Sequence, residues 1–243
     1  MPTASDTLIP APRWRRALRD WGPTIGLVLG ISTCRGAVVT QFYVPTPSME
    51  PTVHVGEVML VNRAIAPAFL TWKLTPRAAA QRGDIVVFIS PTQADQPEDP
   101  TPTLVKRLVA LAGDTVAMRG GALYVNGHIE QVGRPHLPHV TADGPSPLLF
   151  WMGPHEISTP DLGDAPRVLT RDNWGPLVVP ANTGFVLGDN REHSKDSRFL
   201  GPVPFARFIG TATHVSLSFD GDAPSIGQWL TGFRWHRLGH LLP

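Results

Sequence analysis

Val44-Pro-Thr-Pro-Ser-Met-Glu-Pro-Thr52 divides the chain: an apolar stretch stops where it begins, and short β-like runs start where it stops. Proline fixes its own φ and biases the residue before it toward extended geometry. Pro45, Pro47 and Pro51 therefore hold Ser48 in a rigid, non-helical presentation. A loop built this way aims a hydroxyl, and Ser48 is a candidate nucleophile. The competing reading is a plain linker, the usual role of a Pro/Ser/Thr segment after an apolar run.

Toward the N-terminus, Arg13, Arg15, Arg16 and Arg19 precede the apolar segment Trp21 to Val44, the charge order of a helix inserted with its basic end inside. As a helix these residues span about 36 Å, enough for a hydrocarbon core of roughly 30 Å. Arg35 interrupts the segment. An arginine at mid-membrane costs about 2.5 to 3.5 kcal/mol, less if it snorkels to an interface, and Arg35 lies past the midpoint. A cleaved signal peptide is the first alternative, but no clear small-X-small site follows. A lipoprotein signal ending at Cys34 is the second, and Thr33 and Arg35 match it poorly. The expectation is a cytoplasmic segment 1–20 and a retained single-span anchor 21–44, with the rest of the chain outside.

With 243 residues the chain can bury a sizeable core as one domain with an insertion. The formal net charge of +1 comes without a basic block, which argues against nucleic acid as a partner. One cysteine excludes an internal disulfide. The 26 prolines and 23 glycines punctuate β-like runs and are not gathered in low-complexity tracts, the composition of a turn-rich β protein.

Toward the C-terminus, Gly56 to Asn62, Asp84 to Ser90 and Leu104 to Ala110 read as strands, separated by polar loops around 64–82 and 91–103. Alternation puts Leu104, Lys106 and Leu108 on one face of the third strand and Val105, Arg107 and Val109 on the other. A lysine among apolar neighbours can lose its proton and act as a base, whereas a guanidinium does not give its proton up. A snorkelling or edge Lys-Arg pair is the alternative. From Asp114 the strands shorten. Asp114 to Met118 and Ala122 to Glu130, with Asn126-Gly127 as a hairpin turn, suggest an inserted β subdomain over 116–175. Residues 134–172 read as β hairpins and loops. His136 and His139 lack a full metal-ligand set. Pro176 to Pro180 and Thr183 to Leu187 read as strands returning to the core, which is assigned 45–115 and 176–243. Phe208 to Phe219 is a final strand. Trp229, Phe233 and Trp235, among Arg234, His236 and Arg237, suit either a membrane interface or core packing.

Ser48-Met-Glu-Pro-Thr52, Arg82-Gly-Asp-Ile-Val-Val-Phe88, Leu104 to Asp114, and Gly188-Asp-Asn-Arg-Glu-His-Ser-Lys-Asp-Ser-Arg198 occur in an order and spacing that resembles the bacterial type I signal peptidases. These are membrane-bound Ser/Lys proteases that release signal peptides, and the likeness runs from about Arg35 to Asp220. The resemblance implies a mainly β fold: a β catalytic core, an inserted smaller β subdomain and one N-terminal transmembrane helix. It implies Ser48 as nucleophile and Lys106 as general base, with the Ser48 N–H and the Thr46 hydroxyl as oxyanion donors. Ser194 would hydrogen-bond Lys106, Asp196 and Arg198 would pair to brace the site, and Asp189 would support the same turn. His193 is incidental in this scheme. Phe42, Val44, Met49, Met59 and Val105 match positions lining substrate pockets for small side chains, and they are equally good core residues.

The implied partners are signal peptides of exported preproteins, cut after Ala-X-Ala-like sites, and the lipid bilayer, with proximity to the export translocon. The implied place is the bacterial inner membrane, single-pass, with the N-terminus cytoplasmic and the catalytic domain periplasmic. The chemistry requires no cofactor or metal. A conjugation-associated peptidase maturing one pilin or transfer protein would share the motifs. A catalytically dead, membrane-tethered domain that only binds signal sequences is the alternative from another class.

Overall fold

The computed structural model describes residues 21, 39–63, 80–91, 101–131, 143–161, 163, 166, 168–220 and 232–243. The fold is mainly β. Runs of β-branched and aromatic residues bounded by Gly, Pro and Asn form β1 (Val39–Tyr43), β2 (Glu57–Asn62), β3 (Ile85–Ile89), β4 (Thr103–Leu111), β5 (Thr115–Arg119), β6 (Ala122–Val125), β7 (His128–Ile129), β8 (Trp174–Val178), β9 (Thr183–Leu187), β10 (Val203–Pro204) and β11 (Phe208–Ser218). They pair antiparallel in two sheets, ordered β1-β2-β11-β3-β4-β9-β10 and β7-β6-β5-β8. In the larger sheet β4 lies between β3 and β9, with Val86 opposite Lys106 and Leu187 opposite Arg107. Consecutive strand residues point to opposite faces, so Lys106 and Arg107 are sent to different surroundings.

The smaller sheet is closed at one end by Asn126-Gly127, whose φ values of 52° and 79° suit a primed two-residue turn. Its inner face carries Val116, Met118, Leu123, Val125, Trp174 and Leu177, packed with Val109, Ala110, Phe185 and Leu187 of the larger sheet in one buried cluster. The Trp174 and Phe185 rings stack with centroids 5.4 Å apart. The two sheets thus share a core.

Three expectations are revised by the coordinates. Residues 39–43, assigned to the end of the apolar anchor, form β1, because Val39, Thr40 and Tyr43 suit an edge strand registered on β2 from Val39↔Asn62 to Tyr43↔Val58. The rest of the candidate span, 22–38, lies outside the described residues. Among the described residues no helix is long and apolar enough to cross a membrane. Second, β8 pairs with β5 of the smaller sheet, so the subdomain extends past 175 and the return to the larger sheet begins with β9. Third, in the segment read as hairpins, Pro147–Leu149 and Gly153–His155 are short 3₁₀ turns. Proline near the start of each favours the tight turn, and Leu149 and Met152 are buried in the shared core. His136, His139 and Trp229 lie outside the described residues. Phe233 packs edge-on against Phe219 at 5.2 Å and contacts the exposed Trp235.

Candidate active site

The prolines around Ser48 produce a single 3₁₀ turn, Pro47–Met49, in which Ser48 and Met49 are buried. The first N–H groups of such a turn have no acceptor within it, which leaves the Ser48 N–H available to a ligand. Two bonds from the Gly188–Arg198 run clamp the turn: Asn190 N donates to Ser48 O at 3.1 Å, and Asn190 Nδ2 to Pro47 O at 3.1 Å. Thr46 is exposed, with Oγ1 3.3 Å from Ser48 Oγ.

Lys106 reaches this turn from β4. Its Nζ lies 2.8 Å from Ser48 Oγ and 2.9 Å from Val105 O, and the residue is only 2% exposed. Burial pushes the ammonium down from 10.5 to about 8, assisted by Arg198 and opposed by Asp196 and Asp189. A shift of that size takes roughly 3 kcal/mol from the fold. Because the folded pKa is the lower one, that penalty is full below about pH 8 and fades as pH rises toward the unfolded value near 10.5.

Two buried ion pairs stand behind Ser48 and Lys106. Arg107, on the other face of β4, grips Asp189 through Nε–Oδ1 at 2.8 Å and Nη2–Oδ2 at 2.7 Å, and also donates to Gly83 O at 2.7 Å. Thr52 Oγ1 donates to Asp189 Oδ2 at 2.6 Å. Asp196 caps the short helix α1 (Ser197–Leu200) and pairs with Arg198 through Nε–Oδ1 and Nη2–Oδ2, both at 2.9 Å. It also accepts from Gly188 N at 3.0 Å. Arg198 and these hydrogen bonds outweigh desolvation and hold the Asp196 carboxyl below its usual value. Trp151 Nε1, from the segment linking the two 3₁₀ turns, donates to Arg198 O at 2.8 Å.

Ser194 is buried beside these groups, but no hydrogen bond joins it to Lys106. Its hydroxyl has no partner in hydrogen-bonding geometry, though it lies near enough to Asp196 to help lower that carboxyl. It sits over Gly188. A Cβ at position 188 would fall 2.2 Å from Ser194 Oγ and 2.5 Å from Ser48 O. Gly188→Ala is therefore expected to displace the Ser48 turn and lower kcat by on the order of 10²-fold, since misplacement by about 1 Å costs that much. Cleavage kinetics beside thermal unfolding check this: wild-type kcat in the variant would contradict it.

Phe42, Val44, Met49, Met59 and Val105 come together in one apolar cluster with Val53, Val61, Ile85 and Val87. Val44, Met49 and Met59 are buried, so Phe42 and Val105 hold the accessible surface of the set. His193 is exposed, and its Nδ1 lies 3.3 Å from Asn190 Oδ1. Arg107 and Thr52 carry no role in the expectations drawn from the sequence. A buried arginine demands a carboxylate, and the acid-rich run after Gly188 was the available signal for Arg107.

A family model described as signal peptidase, peptidase S26, matches residues 18–217 of the 243. The chain belongs to the signal peptidase S26 family. This S26 peptidase is 31% identical over 213 residues to a signal peptidase I of Leptolyngbya laminosa, spanning 87% of this chain and 83% of that one. It is 30% identical over 225 residues to a signal peptidase I of Pseudomonas aeruginosa, spanning 83% and 72% respectively. With signal peptidase I T of Bacillus subtilis it shares 31% identity over 203 residues, 83% of this chain and 86% of that one. The S26 chain is a serine endopeptidase of the signal peptidase I class, and cleavage of signal peptides from preproteins is its reaction.

Proposed function

We propose that Ser48 and Lys106 form a Ser/Lys dyad that cleaves exported preproteins after small-X-small sites through an acyl-enzyme. Neutral Lys106 Nζ takes the Ser48 proton as Oγ attacks the scissile carbonyl carbon. Collapse of the tetrahedral intermediate breaks the C–N bond, and the lysine gives that proton to the leaving amine. A water then loses a proton to Lys106, attacks the ester, and releases the signal peptide with regeneration of Ser48. The Ser48 N–H and Thr46 Oγ1 stabilise the oxyanion, and Pro47 between them donates nothing. Asp189, Asp196 and Arg198 brace the loop beside the lysine. The single observation that carries this reading is the 2.8 Å contact between a buried amine and a buried hydroxyl.

The substrate binds extended along a strand edge, with its small side chains against Phe42 and Val105 over the floor of Val44, Met49 and Met59. An N-terminal anchor ahead of β1, basic end inside, holds the domain at the outer leaflet of the inner membrane, near the translocon, where signal peptides emerge. The proposal is tested with the purified full chain in detergent, an Ala-X-Ala preprotein, and mass spectrometry of the product ends. Cleavage directly after the second alanine is expected, and cleavage elsewhere would overturn it. The pH dependence is a second test. Only the neutral amine is a base, so kcat/KM should rise about tenfold per unit below pH 8 and level off above it. A profile flat from pH 6 to 9 would exclude Lys106 as the base.

A further inference from the structure

Residues 232–243 run beside the second half of β11. Arg234 N donates to Ser218 O at 2.9 Å, Gly239 N to Val215 O at 2.8 Å, Val215 N to His240 O at 2.9 Å and Leu242 N to Thr213 O at 2.9 Å. Thr213 is one of the residues skipped where β11 changes register against β2, so the tail is seated on a bulged strand.

From this seat two guanidinium groups reach the segment that follows Ser48. Arg237 grips Glu57 through Nε–Oε1 at 2.7 Å and Nη2–Oε2 at 3.0 Å, and donates from Nη2 to Thr52 O at 2.9 Å. Arg234 Nη2 donates to Val55 O at 2.7 Å. Glu57 is fully buried and also accepts from Ser218 Oγ and His54 N, each at 3.0 Å. The connection does not stop at the loop. The Thr52 hydroxyl goes to Asp189, Asp189 pairs with Arg107, and Arg107 is the neighbour of Lys106 in β4. One hydrogen-bonded path therefore runs from the tail, through the carbonyl and hydroxyl of Thr52, to the strand that carries the base.

We propose that Arg237 is a positioning residue for the hydrolysis: by fixing Thr52 and Glu57 it holds the segment after the Ser48 turn, and through Asp189 keeps Ser48 Oγ in register with Lys106 Nζ. The inference rests on the Ser/Lys reading above. Residues 50–56 lie between the 3₁₀ turn and β2 without strand pairing of their own; Glu50 N, Val53 N and Gly56 N find backbone acceptors, while the carbonyls of Thr52 and Val55 take their donors from Arg237 and Arg234. Val53 and Leu242 pack into the apolar cluster that would meet substrate, but its accessible members Phe42 and Val105 stand on β1 and β4, so the effect is expected on the chemical step.

The test uses the full chain in detergent, with kcat, KM and thermal unfolding measured for Thr52→Val and for the double variant Glu57→Gln/Arg237→Gln. The double variant removes both charges of the pair together, which preserves the fold where Arg237→Gln alone would strand the buried Glu57. Each is expected to lose about 10- to 100-fold in kcat with KM within twofold of wild type. The ascending limb of the pH–rate profile should also move to higher pH, as water reaching a loosened Lys106 restores its ordinary basicity. Combining all three substitutions should cost little more than the worse set alone, since both cut one path. A folded double variant with wild-type kcat and pH profile, or a loss carried by KM, would overturn the positioning role. Activity persisting in Ser48→Ala would instead sink the Ser/Lys reading itself.

Discussion

Ser48→Ala and Lys106→Ala should each lower kcat for an Ala-X-Ala preprotein by on the order of 10⁴-fold or more, with the double variant no worse than either alone. Groups that act as one unit are grossly non-additive, because the second has no function once the first is gone. Here the unit is the 2.8 Å contact: without the hydroxyl the amine has nothing to activate, and without the amine the hydroxyl stays protonated. Lys106→Arg should be as inactive as Lys106→Ala, although it keeps the charge and much of the bulk, because guanidinium does not deprotonate. Thermal unfolding separates chemistry from collapse. Lys106→Ala removes a buried amine that the fold holds at a cost, so no loss of stability is expected from the charge itself. Retention of a tenth of wild-type kcat in either alanine variant, after contaminating protease is excluded, would refute the dyad.

Asp189→Ala should destabilise the protein by about 3 to 5 kcal/mol, because it leaves Arg107 charged, buried and without its carboxylate. For a chain of this length that is a fall in Tm of roughly 6 to 20 °C. The same substitution removes the acceptor of Thr52, so activity should fall as well. Arg107→Met combined with Asp189→Leu should recover most of the stability, since an apolar pair of similar volume replaces an ion pair that was expensive to bury. Recovery of stability without recovery of activity would separate the pair's structural part from its alignment of the loop. Equal Tm in wild type and Asp189→Ala would show that Arg107 is satisfied by Gly83 O and its other neighbours alone.

Much of the strand order could be read in advance because it depends on local chemistry. β-Branched runs between Gly, Pro and Asn marked β2, β3, β4, β9 and β11, and Asn126-Gly127 marked the turn before β7. The roles expected of Ser48 and Lys106 came from the resemblance carried by the four motifs, since the prolines alone left a plain linker open and the lysine alone a snorkelling or edge residue. Pairing was not legible. Trp174 to Val178 looks like any buried strand, and only the facing residues of β5 assign it to the smaller sheet. Arg107 was set aside on sound acid–base grounds, yet it has a carboxylate 82 residues away that no periodicity connects to it. The seat of Arg237 was hidden for the same reason: a basic tail among aromatics looks the same whether it meets lipid, solvent or a buried glutamate.

The shared core has a consequence for how this enzyme can be shortened. Phe185 and Leu187, just ahead of Gly188, share one buried cluster with Trp174 and Val116 of the smaller sheet and Leu149 of the neighbouring 3₁₀ turn, while Trp151 ties down α1 through the Arg198 carbonyl. That sheet is a foundation on which the loop holding Asp189, Asn190 and Asp196 is built, and not a module hung from the catalytic sheet. Excising it would leave β9 as a roof without walls. A minimal version of the protease would have to supply a new apolar layer under β9 before it could close its active site.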